Sequence, residues 1–153
     1  MREPIERPAK FNACYGCGGA NARGLGLVFF RDGDSVVAEF TPAPEHGGYG
    51  KVLHGGVTAT LVDEAFGWTI YGLLGKLGLT TSLAVEFQAP LTCGQTCTVR
   101  GKVESSDGRG AKLRAEVTDA RGKLAAVGTG HLRFVSARAV ERIGDFDAGS
   151  ITG

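Results

Sequence analysis

The chain has 153 residues, 42% hydrophobic and 22% charged, the profile of one globular domain rather than of a disordered segment or two full domains. Lys and Arg number 17 against 16 Asp and Glu, a formal net charge of +1, which excludes a domain-wide electrostatic grip on nucleic acid. There is no run of about 18 apolar residues to span a membrane, and Met1-Arg2-Glu3-Pro4-Ile5-Glu6-Arg7-Pro8 lacks the apolar core of a secretory signal, so a cytoplasmic protein without membrane or nucleic-acid partners is expected.

In chain order, residues 1–13 carry Pro4, Pro8 and mixed charge and read as an extended lead-in. Leu25-Gly26-Leu27-Val28-Phe29-Phe30 predicts a strand, Asp32-Gly33 a tight turn, and Ser35-Val36-Val37-Ala38-Glu39-Phe40 the return strand. A loop rich in Gly, Pro and His runs from Pro42 to about Leu53. The stretch from Gly56 to Leu74 is the one good helix signal, and because it is apolar nearly all round it predicts a buried helix. Everything afterwards reads as strand. Thr81, Leu83, Val85 and Phe87 alternate onto one face until Pro90, and residues 98–103, 112–118 and 124–134 follow, with Asp107-Gly108 and Arg121-Gly122 at the turns. Short connections imply antiparallel pairing. The expectation is an α+β domain over 14–135, one long buried helix wrapped by a curved antiparallel sheet of about six strands. Residues 136–153 lack periodicity and read as an irregular or mobile tail. A helix this apolar is more than one sheet can cover, which predicts a subunit interface.

The chemistry concentrates in Val52-Leu53-His54-Gly55-Gly56-Val57-Thr58-Ala59-Thr60-Leu61-Val62-Asp63-Glu64. The first turn of a helix has unpaired N–H groups and partial positive charge, and Gly55 and Gly56 keep that end clear of side chains. It is therefore a place for a developing oxyanion, with the Gly56 N–H as donor. Asp63 and Glu64 lie in an otherwise apolar helix, where a carboxylate is costly unless paired or functional. Of the two, Asp63 is expected to face the cleft. It sits seven residues past Gly56, on the order of 10 Å along the axis, too far to serve a carbonyl held at its own helix terminus. A second copy of the helix running antiparallel across a two-fold axis brings the two together, so the spacing predicts a dimeric site.

His54-Gly55-Gly56 followed by Asp63, and a strand ending in Phe87-Gln88-Ala89-Pro90, resembles the hot-dog fold thioesterases of the PaaI type. The leader Asn12-Ala13-Cys14-Tyr15-Gly16-Cys17-Gly18, with Asn21 and Gly24-Leu25, resembles one found in bacterial members. The resemblance covers roughly residues 12–135 and implies hydrolysis of an acyl-CoA thioester by a dimer or a dimer of dimers, without a cofactor. It implies that Gly56 donates to the thioester carbonyl and that Asp63 of the facing subunit is general base or nucleophile, roles that stay unseparated here. His54 then orients the loop or polarises the carbonyl. Thr81 best matches the hydroxyl that places the base or water in this family, with Thr80 next to it. Some relatives carry Asn six residues before the motif His; here that position is Gly48, and His46 or a water takes over the contact. Arg109 and Lys112 are expected to meet the CoA phosphates, and Tyr49, Phe66 and Trp68 are candidate walls of the acyl pocket. Acyl-thioester dehydratases share the fold and use a His with a carboxylate, and a non-catalytic acyl-CoA-binding dimer is a further alternative.

Cys14-x-x-Cys17 has the spacing of half a zinc site, and Cys93-x-x-x-Cys97 is a candidate for the other half. The preferred reading is four small buried hydrophobes and no metal. Glycine is in excess, 25 of 153 residues. Gly33, Gly108 and Gly122 are expected in turns, whereas Gly67, Gly72 and Gly75 either let two helices approach at a dimer seam or end the helix early.

Overall fold

The computed structural model describes residues 1–144. Seven strands form one sheet: β1 (Glu3–Pro4), β2 (Phe30–Asp32), β3 (Ser35–Phe40), β4 (Leu77–Phe87), β5 (Cys97–Ser106), β6 (Gly110–Thr118) and β7 (Leu124–Val135). Helix α1 (Gly55–Leu74) separates β3 from β4, and α2 (Ala137–Ile143) follows β7. The spatial order is β1-β2-β3-β5-β6-β7-β4 with every neighbouring pair antiparallel. This is the expected α+β hot-dog architecture, a long helix on a curved antiparallel sheet.

Alternation makes the sheet one-sided. In β6, Ala111, Leu113, Ala115 and Val117 are buried, while Lys112, Arg114 and Glu116 point away from the core. Onto the buried face α1 lays Leu61, Val62, Ala65, Phe66 and Ile70, all fully buried. Helix and sheet approach closely because Gly101 and Gly128 stand beneath the helix. A Cβ on Gly101 would lie 2.3 Å from Thr69 Oγ1, and one on Gly128 2.2 Å from Val62 Cγ1. Part of the glycine excess thus belongs to the helix–sheet contact.

Of the helix glycines, one ends the helix as expected and the others do not meet a second helix among the described residues. Gly75 adopts φ 64° and closes the C-terminus of α1. A Cβ on Gly72 would strike Ile5 Cδ1 at 2.6 Å, and its carbonyl accepts from Arg31 Nη2 at 2.6 Å, so Gly72 admits the N-terminal segment rather than a second helix. Gly67 has nothing within 4 Å of its would-be Cβ.

Three boundaries differ from the sequence expectation. Of residues 25–30 only Phe30 joins the sheet; Gly26 takes φ 62°, and the Leu25 and Leu27 amides bond Tyr15 O and Gly16 O instead of a neighbouring strand. The lead-in contributes β1 and a 3-10 turn at Ala9–Phe11. In the tail, Ala137–Ile143 is helical, its first turn capped by the Ser136 hydroxyl accepting from Ala139 N–H at 3.1 Å; the rest of the tail, 145–153, lies outside the described residues.

A bulge decides which residues of β4 face the helix. Thr80 pairs with Leu132 and Ser82 with His131, leaving Thr81 as the extra residue. Before it Gly78 and Thr80 face inward, a Cβ on Gly78 meeting Ile70. After it the inward set is Leu83, Val85 and Phe87, opposite Gly130, Gly128 and Ala126.

Candidate functional site

Helix α1 starts on its own histidine. His54 occupies the N-cap, and its Nδ1 accepts the Gly56 N–H at 2.9 Å. A backbone amide only donates, so Nδ1 is the unprotonated nitrogen and the neutral ring carries its proton on Nε2. The ring stands so close over Gly56 that a Cβ there would lie 3.0 Å from Nδ1. The expectation for Gly56 is therefore corrected: its amide is engaged by the cap. Gly55, one residue earlier, has no hydrogen-bond partner for its N–H among the described residues, and the Phe87 ring packs against its Cα.

The preceding loop is built onto this cap. His46 Nδ1 accepts from the Ala43 N–H at 3.0 Å, and the His54 N–H donates to His46 O at 2.9 Å. Gly48 lies against His54, its would-be Cβ 3.4 Å from His54 Cα. His46, Gly48, His54, Gly55 and Gly56 are thus one assembly. A cavity of about 300 Å³ lined by Val52, Gly55, Thr58, Phe87 and Pro90 opens beside it.

Asp63 lies elsewhere. Its Oδ1 accepts the Thr80 hydroxyl at 2.6 Å, and both line an apolar cavity of about 600 Å³ walled by Trp68, Tyr71, Leu79 and Leu132. Thr81, expected in this role, instead donates to His131 O at 3.1 Å. The reason is the bulge: counting back by twos from Leu83 reaches Thr81, but the extra residue shifts the alternation and brings Thr80 to the carboxylate. Glu64 corrects a second expectation, because it lines the same cavity as Asp63. Burial, and then the neighbouring Cys14, push its carboxyl up to about 7. The candidate pocket walls divide. Trp68 lines the cavity, Phe66 is core, and Tyr49 is 92% exposed.

The cysteines do not converge as four. Cys97 Sγ donates to Phe40 O at 3.5 Å, while Cys14 and Cys17 join Glu64, with Cys14 Sγ 3.6 Å from Glu64 Oε1. Hydrogen bonding from Cys17 holds the Cys14 thiol down near about 5, and the same contact drives the Cys17 thiol up.

Arg109 and Lys112 come together in a third place, a cavity of about 490 Å³ that they share with Ser105 and His131. Lys112 Nζ is 3.5 Å from Glu104; the Arg109 guanidinium makes no hydrogen bond or salt bridge among the described residues, although its charge acts on Asp107. His131 was missed from sequence, although the hairpin register places it opposite Lys112. No described helix is long and apolar enough to cross a membrane.

Comparison with known proteins places these features in a family. A thioesterase superfamily model matches residues 50–126, about half of the 153-residue chain. An uncharacterized Schizosaccharomyces pombe protein is 29% identical over 80 residues, and the match spans 52% of this chain but only 46% of that relative. The E. coli PaaI protein of the phenylacetic acid degradation operon is structurally similar, with TM-score 0.68 and 20% identity over 73% of this chain and 81% of that one. A hypothetical Streptococcus pneumoniae thioesterase, solved with coenzyme A, gives 0.67 and 18% identity over 72% and 86%. Those identities speak to fold, and the family model speaks to descent: the chain belongs to the thioesterase superfamily and has the hot-dog fold.

Proposed function

We propose that the protein hydrolyses an acyl-CoA thioester, working as a dimer. The observation that carries this reading is a half-buried carboxylate, Asp63, held by the Thr80 hydroxyl on the wall of a largely apolar cavity. With Oδ1 occupied, Oδ2 is the oxygen left to take a proton from water. The water oxygen attacks the acyl carbon, the C–S bond breaks, and the proton passes to the departing CoA sulfur. Carbonyl polarisation falls to the N-terminus of α1, where Gly55 N–H and His54 Nε2–H are the donors at hand. Within one chain Gly55 and Asp63 line different cavities, so the α1 N-terminus of a second subunit is assigned to each carboxylate.

Two features support the partners named. Among the described residues strand β4 has no neighbour on its outer edge, and it leaves Leu83 and Phe87 exposed at 39% and 57%, a surface suited to a second copy. The cavity holding Arg109 and Lys112 offers cations to a nucleotide, and the S. pneumoniae thioesterase was solved with coenzyme A. A dehydratase is disfavoured, because His54 has given its acceptor nitrogen to Gly56 and keeps none with which to remove a proton.

The test is thiol release across a panel of acyl-CoAs, with binding measured alongside. Wild type should turn over at least one class, and Asp63→Asn should bind it while losing at least roughly 100-fold in kcat. Tight binding without turnover by wild type defeats the enzyme reading. Unchanged hydrolysis in the variant defeats the assignment of Asp63.

A further inference from the structure

The segment from Asn12 to Gly24 has no part in the proposed hydrolysis, yet its chain is tightly folded on itself. Gly18 N–H donates to Cys14 O at 2.8 Å and Gly24 N–H to Asn21 O at 3.0 Å, while Leu25 N–H returns to Tyr15 O at 2.8 Å. A Cβ on Gly18 would lie 2.3 Å from Asn12 O, and one on Gly16 only 2.2 Å from Glu64 Cδ. Gly18 is hemmed in by backbone and accepts glycine alone, and Gly16 lets the turn sit directly on a carboxylate of α1.

The outcome is a cluster of three ligand atoms. Cys14 Sγ, Cys17 Sγ and a Glu64 oxygen lie within 4.8 Å of one another, the only such group of His, Cys, Asp or Glu among the described residues. Arg7 brings positive charge to the same turn by donating to Cys17 O. Two sulfurs and a carboxylate at C-x-x-C spacing match the ligand preference of a borderline-soft, tetrahedral cation and not that of magnesium or calcium, which seek oxygen. Such a site keeps a fourth position, and here the three residues line the 600 Å³ cavity from which water can fill it.

We propose that Cys14, Cys17 and Glu64 bind one Zn²⁺ per chain, tying the N-terminal turn to α1 beside Asp63. The ligand set differs from a four-cysteine arrangement, since Cys93 and Cys97 stand apart from it, and it is independent of whether the protein hydrolyses thioesters.

The full chain, purified under reducing conditions without a polyhistidine tag, is assayed for zinc and thiols; the chelator-stripped protein is then titrated with Co²⁺. Close to one zinc per chain is expected, with a thiolate-to-cobalt absorption band that saturates at one equivalent. Cys17→Ser should abolish the band, and Cys93→Ser should leave it unchanged. Glu64→Gln keeps both thiolates and should weaken Co²⁺ binding about tenfold or more, which preserves the test if the cysteine variant fails to fold. Wild-type protein with all four thiols free but no zinc and no cobalt band overturns the site. So does a band that survives Cys17→Ser, or Co²⁺ affinity unmoved by Glu64→Gln.

Discussion

At the scale of single residues, the contrast between Thr80 and Thr81 is the sharpest. Thr80 touches the Asp63 carboxylate and Thr81 a strand carbonyl, so the two adjacent hydroxyls have separable effects. Removing a hydrogen bond to a charged group costs about 1.5–3 kcal/mol, and each 1.4 kcal/mol is about tenfold in rate. Thr80→Val should therefore lower kcat roughly tenfold or more, while Thr81→Val stays near wild type in the same thiol-release assay. Equal effects would mean that the contact to Asp63 does not matter. Thr69 supplies a stability counterpart. Its hydroxyl is fully buried and has no hydrogen-bond partner among the described residues. Thr69→Val replaces that oxygen with a methyl group of similar size, and should raise stability by about 1 kcal/mol in denaturant titration.

At the scale of elements, the helix–sheet contact carries its own prediction. Gly101→Ala forces a methyl group against Thr69 Oγ1 and, at 3.1 Å, the Ala65 carbonyl oxygen. The Ala65 carbonyl is fixed in a packed helix and cannot swing away, and the expected loss is roughly 2 kcal/mol. An unfolding midpoint unchanged by this substitution would mean the helix does not press on β5. Periodicity made most of the elements legible beforehand: β3, α1 and β5 to β7 emerge where hydrophobic alternation and turn residues are unambiguous. What stayed hidden is what local pattern does not encode. The bulge at Thr81 adds no distinctive residue type, so an uninterrupted count of two along β4 points to Thr81 rather than to Thr80, the hydroxyl that meets Asp63. The His54–Gly56 bond needs a side-chain rotamer, and the meeting of Cys14 and Cys17 with Glu64 joins segments some fifty positions apart, as the Cys14–Glu64 contact records. The tail helix was missed because seven residues are too few to establish a period.

At the scale of the whole molecule, the unpaired rim formed by β4 sets the expected assembly. Leu83→Lys places a charge on the apolar surface assigned to the second subunit, so light scattering should report a shift from dimer towards monomer, with hydrolysis lost in parallel. Persistence of the dimer would locate the interface elsewhere. The acid limit of stability is also a property of the whole fold. The Arg100 hydrogen bond holds the Asp32 carboxyl below its usual range; the Arg109 and Gly110 amides do so for Asp107, and the Lys123 amide, then Arg121, for Asp119. Carboxylates depressed on folding stabilise above their unfolded values and stop doing so as pH falls through the folded ones. Melting temperature should accordingly drop below about pH 4, and Asp119→Asn should flatten that descent; an unaltered slope would remove Asp119 from the account.

The two rims of the sheet are unequal, and that inequality limits growth. One is β4, eleven residues long, with an edge unpaired among the described residues and exposed apolar side chains. The other is β1, two residues long and containing Pro4, which has no N–H to offer a newcomer. A sheet with a single adhesive rim has a valence of one. Joined rim to rim across a two-fold axis, two chains consume both adhesive edges and leave only the proline-blunted ends outside, so strand-by-strand extension terminates at the pair instead of running on into a fibre.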